Sequence, residues 1–199
     1  MRKWFLISVL AILLVSLFPA QSRSAAQSEA PLVLVITAEG AVSSAMSEYL
    51  KRSIRLAEAR GAELLIFELN TPGGSVNLMQ SMVQTILESE VPVVVYIYPR
   101  GAMAGSAGTV ITLAGHVAAM APGTAIGAAS PITIEGQDLE QTAQTKEKNI
   151  LKATVRSLAE RRPAEAIKLA EATIETAEAV SAAEALEIGL VDFIANDID

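Results

Sequence analysis

A stretch rich in glycine and alanine around Ser106 carries the residue types for nucleophilic chemistry. It reads GAMAGSAGT from Gly101 to Thr109, and it follows a strand-like run at residues 93–98. A serine at the turn from a buried strand into a helix exposes its hydroxyl, and the N–H groups of the helix start point toward a bound group. Small neighbours let a substrate backbone come close. The alternative interpretation is that Ser106 only caps a tightly packed helix.

A second glycine-rich loop lies one β-loop-α unit earlier in the chain. Residues 70–75 read NTPGGS, between a strand at 63–69 and a helix at 76–89. Pro72, Gly73 and Gly74 form a tight turn with unobstructed N–H groups, which suits either a plain turn or an anion-accepting loop. Ligands bind where parallel strands end. We therefore expect the two loops to lie side by side and to supply a nucleophile and an oxyanion hole to one site.

A serine nucleophile needs a base, and the single histidine is poorly placed for that role. His116 follows Ser106 by ten residues, or roughly 15 Å along a helix, so we interpret it as a structural residue flanking the next strand. A Ser-His-Asp triad is therefore not available. A lysine can replace histidine where burial lowers its pKa. The residues alone leave the choice open among the lysines that follow the site, which are Lys146, Lys148, Lys152 and Lys168.

The composition of the chain excludes several other classes of function. The 199 residues are enough for one domain, and the formal net charge of −7 argues against binding nucleic acid through its phosphates. The absence of cysteine excludes disulfides, thiol nucleophiles and thiolate metal sites. With one histidine, a centre built from several histidines is excluded as well. We expect neither a metal nor a cofactor.

The first 26 residues have the pattern of a secretory signal peptide. Arg2 and Lys3 are followed by an apolar run at residues 4–18, and small residues at 22–26 offer a cleavage site. The apolar run is short for a membrane-spanning helix, although an uncleaved anchor is the alternative. Cleavage would leave a single domain at residues 31–199 outside the cytoplasm, which means secreted, periplasmic or on the outer face of the membrane.

Strand-like and helix-like segments alternate through the rest of the chain. Strands are predicted at residues 31–37, 63–69, 93–98, 117–120 and 190–195, and an extended segment of small residues at 125–132. Helices are predicted at 44–60, 76–89, 145–162 and 181–188. Ser43 or Ser44 can cap the first helix and Gly61 ends it, while Ser181 and Glu184 have the spacing of a capping box. The polar segment at 134–142 is a candidate lid. This alternation predicts an α/β fold in which helices flank a parallel-rich sheet with right-handed crossovers.

Three motifs, taken in order and with their spacing, resemble the NfeD family of membrane-associated serine peptidases. The motifs are NTPGG at residues 70–74, GAMAGSAGT at 101–109 and MAPGTAIGA at 120–128. The family is related to ClpP and to signal peptide peptidase A, and the resemblance covers residues 31–195. It implies a ClpP/crotonase-like α/β fold with repeated β-β-α and βαβ units.

The resemblance implies an ATP-independent endopeptidase with a Ser–Lys dyad that cleaves hydrophobic segments of membrane-associated or unfolded proteins. The family's Ser-Ala-Gly-Thr segment places the nucleophile at Ser106. Its lysine falls on Lys146 when one counts back from residues 156–159, with Lys148 as the second choice. The oxyanion hole falls on the backbone N–H groups of Gly74 and Ala107, and Gly73 shapes the loop.

The resemblance also implies a homo-oligomer of two or more subunits and a stomatin-like membrane protein as partner. Glycine at position 105 replaces the usual alanine and is expected to loosen the turn, while Met103 is expected to face the cleft or a partner subunit. Because the 134–142 segment precedes Lys146, we expect the base to be placed only when substrate binds. Three alternatives remain: an inactive ClpP-like binding scaffold, an acyl-CoA enzyme of the crotonase type and a purely structural secreted domain.

Overall fold

The computed structural model describes residues 30–131 and 141–198, and from Pro31 onward they belong to one unit. The predicted signal peptide at 1–26 and residues 134–140 of the predicted lid lie outside the described residues. The described strands and helices follow one another in this order: β1 (Val33–Glu39), α1 (Ser44–Arg60), β2 (Leu64–Asn70), α2 (Val76–Leu87), β3 (Val93–Ile97), β4 (Met103–Gly105), α3 (Ala107–Ala114), β5 (Val117–Met120), β6 (Ala125–Gly127), α4 (Gln141–Leu158), α5 (Ala164–Glu175), β7 (Ala179–Ser181), α6 (Ala182–Ile188) and β8 (Phe193–Ile194).

Two sheets organise the described residues. The larger has five strands in the order β1-β2-β3-β5-β8, and every neighbouring pair is parallel. The smaller has three short strands in the order β4-β6-β7, with β4 parallel and β7 antiparallel to β6. Helices connect the parallel strands, as a parallel sheet requires. The predicted α/β fold with a parallel-rich sheet is confirmed.

The main core lies on the helix-covered side of the larger sheet. Leu65, Phe67 and Leu69 of β2 are fully buried there, since alternate residues of a strand point to the same face. Helix α1 packs its apolar stripe, including Leu50 and Ala57, against the same core. A separate small cluster of Tyr96, Ala119 and Ala121 occupies the opposite face.

Local signals predicted the ends of two helices correctly. The Ser43 side chain caps α1 by accepting from the Met46 N–H, and Gly61 ends it at φ 63°. Helix α6 begins with the predicted capping box between Ser181 and Glu184. Such caps depend on residues within one turn of each other, which explains why the sequence reveals them.

Helix α4 and the last strand differ from their predicted bounds. Helix α4 begins at Gln141, four residues before the predicted start, and ends at Leu158 rather than 162. Strand β8 covers Phe193–Ile194 only. The preceding Asp192 bonds to Ala118 twice, because its N–H donates to the Ala118 carbonyl (2.8 Å) and its carboxylate accepts the Ala118 N–H (2.7 Å), so a side chain supplies half of the pairing there.

The three-stranded sheet was predicted only as an extended segment of small residues. Each of its strands has three residues, too few for a periodic pattern. Its edge strand, β4, also connects to the larger sheet, because Ala104 forms a parallel bridge with Thr71 at the end of β2. This bridge joins the two glycine-rich loops.

Within residues 30–131 and 141–198, no helix combines the length and apolar character needed to cross a membrane.

Candidate active site

Ser106 sits in a strained turn between β4 and α3. Its backbone has φ 52° and ψ −116°, a region that residues with a Cβ rarely adopt and that costs about 1–3 kcal/mol. The residue is half-buried, and its side chain makes no capping bond to α3. The interpretation of Ser106 as an ordinary helix cap is therefore wrong. Its hydroxyl has no hydrogen-bond partner among the described residues, so it is available for chemistry.

The two glycine-rich loops lie side by side, as the sequence predicted. The Thr71 N–H donates to the Met103 carbonyl (2.8 Å), and the Gly105 N–H donates to the Thr71 carbonyl (2.9 Å). A Cβ at position 73, where φ is 115°, would lie 2.5 Å from the Ser106 Cβ. Only glycine fits between the loop and the serine, since atoms that close would overlap.

Two backbone N–H groups beside Ser106 are free to bind an oxyanion. The Gly73 N–H is occupied, because it donates to the Thr71 hydroxyl oxygen (3.1 Å). The Gly74 and Ala107 N–H groups have no acceptor within the part of the chain that the structure describes. Because Ala107 is the first residue of α3, its N–H lacks a partner inside the helix. The resemblance implied these two groups as the oxyanion donors, and that role stays a prediction.

Gly105 and Met103 are the two residues near the turn that depart from the family pattern. A Cβ at Gly105 would lie 3.0 Å from the Pro72 carbonyl oxygen, so glycine lets the two loops close tightly. That Gly105 also loosens the turn stays a prediction. Met103 is 47% exposed on the edge strand of the small sheet.

A small apolar pocket opens next to Ser106. Its volume is only about 20 Å³, so it would have to widen to receive a side chain of a bound peptide, and its apolar lining suits an apolar one. Its lining consists of Val76, Met79, Ser106, Ala107, Val110, Ala129, Pro131 and Leu151. A larger and more polar groove lies between α1 and α2, but none of the predicted site residues lines it.

The three lysines of α4 have different surroundings. Lys146 is exposed, and it lies about 140° around the helix from Leu151, which lines the pocket. Lys148 is half-buried and donates to the Glu175 carbonyl (2.8 Å), and Lys152 forms an ion pair with the Glu175 carboxylate (3.1 Å). No described contact joins Lys146 to Ser106, so the structure does not bring the two proposed dyad members together.

His116 and Lys168 stay outside the site. The Val93 N–H donates to His116 Nδ1 (3.1 Å), which fits the neutral ring. Partial burial and the nearby charge of Arg161 lower the pKa of His116. Lys168 pairs with Glu165 on the exposed surface of α5. Among the described residues, no group of three His, Cys, Asp or Glu residues could hold a metal ion.

Two threonines near the turn were not singled out from the sequence. Thr71 and Thr109 are fully buried, and their hydroxyl groups bind the backbone of the two loops. Each of them lies among small residues within one of the three motifs, and this was the feature of the sequence that could have pointed to a role in the site. A β-branched residue in such a place also suits ordinary core packing, so the sequence did not distinguish the two roles.

Curated relatives resemble most of this chain but are much longer. Membrane-bound protease PH1510 of Pyrococcus horikoshii is 40% identical over 171 residues, which cover 84% of this chain and 38% of that protein. Membrane protein NfeD1b of Bacillus subtilis is 37% identical over 143 residues, or 72% of this chain and 32% of that protein. The chain therefore spans roughly a third of the length of these relatives.

Solved structures share the fold. A serine-to-alanine mutant of the 1510-N membrane-bound stomatin-specific protease has a TM-score of 0.76 and 37% identity, covering 84% of this chain and 81% of the other. A lysine-to-alanine mutant in complex with a substrate peptide has a TM-score of 0.77 and 36% identity, covering 85% and 78%. ClpP1 from Listeria monocytogenes has a TM-score of 0.65 at 17% identity, over 83% and 92%, and shows the fold alone.

A family model described as the N-terminal domain of NfeD1b matches residues 32–198. That range includes all strands and helices of the described residues. The relatives and the ClpP-like structural neighbours agree with this match, so the resemblance drawn from the three motifs is confirmed. The chain belongs to the NfeD family, as an NfeD1b N-terminal domain with a ClpP-like fold.

Proposed function

We propose that this chain is a serine endopeptidase with Ser106 as its nucleophile. The observation that carries the proposal is the strained turn of Ser106 beside the free N–H groups of Gly74 and Ala107. Strained backbone is commonly found at active sites, where the surrounding structure maintains it. The relatives add support, since those solved as 1510-N are proteases in which a serine and a lysine were each replaced.

The reaction would proceed through an acyl-enzyme. The Ser106 Oγ forms a bond to the scissile carbonyl carbon and gives its proton to a neutral lysine. The carbonyl oxygen becomes an oxyanion held by the Gly74 and Ala107 N–H groups, and each such donor is typically worth about 3 kcal/mol of barrier. The C–N bond then breaks, the amine leaves with the lysine's proton, and water hydrolyses the ester.

Lys146 is the lysine that we propose as the base. The replaced serine and lysine of 1510-N lie 41 positions apart, and Lys146 and Lys148 follow Ser106 by 40 and 42 positions. Lys148 is engaged by Glu175, whereas Lys146 has no partner among the described residues. Because Lys146 is exposed, the proposal includes a reorientation of the first turns of α4 when substrate binds.

The pocket beside Ser106 supports a preference for apolar side chains, because its lining is almost entirely apolar. We therefore propose hydrophobic segments of membrane-associated or unfolded proteins as substrates. A relative is described as stomatin-specific, which makes a stomatin-like membrane protein a proposed substrate and partner. We further propose an extracytoplasmic, ATP-independent homo-oligomer, with the predicted signal peptide at 1–26 as the basis for the location.

One observation favours a second function, an inactive binding scaffold. Lys146 is exposed and makes no described contact with Ser106, so the described residues show no base bonded to the serine hydroxyl. A scaffold of this kind would bind apolar peptide segments in the pocket without cleaving them. The two functions share the fold and the pocket and differ in turnover alone.

Degradation of casein by the whole chain tests the proposal. We expect the wild type to cleave, and we expect Ser106→Ala and Lys146→Ala to lose at least about 1,000-fold in rate because each removes a reacting group. Ser130→Ala is the matched control, since Ser130 adjoins the pocket but its hydroxyl donates to the Ile174 carbonyl (2.7 Å). Cleavage by a folded Ser106→Ala variant would overturn the proposal. Peptide binding without cleavage by the wild type would favour the scaffold.

A further inference from the structure

We infer that the Thr109 hydroxyl is a positioning group that holds Ser106 in its reactive backbone conformation. The inference rests on the proposed function for its catalytic consequence, and on geometry alone for its structural part. Thr109 touches no reacting atom in the proposed mechanism. It acts through the backbone of the turn that carries Ser106.

The Thr109 side chain joins the turn to the middle strand of the small sheet. Its Oγ lies 2.9 Å from the Ala104 carbonyl oxygen and 2.9 Å from the Gly127 carbonyl oxygen, so these two acceptors share the single hydroxyl proton. The same oxygen accepts the Gly127 N–H at 3.0 Å. Thr109 is fully buried, so water cannot replace these bonds.

The backbone bonds around Ser106 close the same network. The Ser106 N–H donates to the Gly127 carbonyl (2.9 Å), and the Thr109 N–H donates to the Ser106 carbonyl (3.0 Å). Gly127 thus binds both the serine and the threonine. Gly127 is itself held in place, because it pairs with Ala179 of β7 and the N–H of the next residue, Ala128, donates to the Glu178 carbonyl (2.8 Å).

The network explains how the strained turn persists. A residue at φ 52° relaxes unless its neighbours oppose the change, and the cost of the conformation is comparable to one or two buried hydrogen bonds. If the turn relaxed, the Ser106 hydroxyl and the adjoining Ala107 N–H would no longer both point to the place where the scissile carbonyl group binds. The hydroxyl of Thr109 should therefore affect turnover more than substrate binding.

Thr112 provides a matched control in the same helix. It is also fully buried, and its hydroxyl donates to the Gly108 carbonyl (2.8 Å), one turn back within α3. It makes no bond to Ala104, Ser106 or Gly127. Thr112→Val therefore removes a buried hydroxyl from α3 with the same change of shape, but leaves the network intact.

Amide hydrogen exchange tests the structural part without any catalysis. In Thr109→Val we expect the Ser106 and Gly127 amides to exchange at least about tenfold faster than in Thr112→Val, compared at matched global stability. Thr109→Ser retains the hydroxyl and should restore slow exchange. Unchanged exchange in Thr109→Val would overturn the inference. If that variant does not fold, Thr109→Ala is compared with Thr112→Ala, and equal exchange of the Ser106 and Gly127 amides in the two variants would overturn the inference.

Peptide cleavage tests the catalytic part. We expect Thr109→Val to lower kcat about 10- to 100-fold with KM changed less than about threefold, while Thr109→Ser and Thr112→Val stay within about threefold. Equal losses in the two valine variants would overturn a positioning role. If the wild type cleaves nothing but exchange responds as expected, the proposed peptidase function fails and the positioning of Ser106 stands.

Discussion

At the scale of single residues, the site depends on close contacts that only glycine allows. Gly73 lies directly against Ser106, and Gly74 approaches Val42 so closely that a Cβ would lie 2.6 Å from its carbonyl oxygen. Gly74, whose N–H has no acceptor among the described residues, is thus the direct chain neighbour of the glycine that contacts the serine. The arrangement is built from backbone, and therefore tolerates little change in side-chain size at either glycine.

Gly73→Ala tests this dependence. The added Cβ would overlap Ser106, so we expect peptide cleavage to fall at least about 100-fold, comparable to the loss of an oxyanion donor. Gly40→Ala is the matched control, since Gly40 also has a positive φ (100°) but a Cβ there meets nothing within 4 Å. Both variants carry backbone strain, whereas only the first touches the site. Equal activity of the two would contradict the account.

At the scale of elements, the proposed chemistry requires the first turns of helix α4 to reorient. Leu151 packs in the pocket while Lys146 points to another side of the same helix. Lys148 and Lys152 attach α4 to the end of α5 through Glu175. The first turns of α4 precede these attachments, so they can reorient while the rest of the helix stays packed.

Hydrogen exchange with and without a peptide phosphonate tests this reorientation. In a diphenyl phosphonate of this kind, the Oγ of an active serine forms a bond to phosphorus and a phenoxide group leaves, so the serine is phosphonylated and carries a tetrahedral group resembling the one formed during peptide cleavage. We expect amides at residues 143–150 to become at least about tenfold better protected in the inhibited protein, while those of α1 (Ser44–Arg60) stay unchanged. Modification of Ser106 with no change in α4 would show that Lys146 is not recruited, and would direct the search for a base to Lys148.

The elements also show how far local sequence signals reach. Ser43, Gly61 and the Ser181–Glu184 box fixed helix ends because the interacting residues are near neighbours. The small sheet was not predicted, because its three-residue strands come from distant parts of the chain and are too short for a pattern. The extent of α4 was misjudged for a similar reason, since its polar first turns show no apolar stripe.

At the scale of the whole molecule, the parallel sheet explains why the site could be located from the sequence. The ends of β2 and β3 deliver the two glycine-rich loops to one edge, where Thr71 pairs with Ala104. The order of strands thus predicted the meeting of Gly73 with Ser106. The role of Thr109 and the direction of Lys146 depend on long-range packing and side-chain orientation, which no local pattern encodes.

The most direct test of the central claim is the reaction of the whole chain with a fluorophosphonate, followed by peptide mass spectrometry. Such reagents modify serines that are activated as nucleophiles. The account predicts modification of Ser106 alone, with Ser130 unmodified and with no reaction in the folded Ser106→Ala variant. A folded wild type that remains unmodified, or that is modified at another serine, would contradict the assignment of Ser106 as the nucleophile.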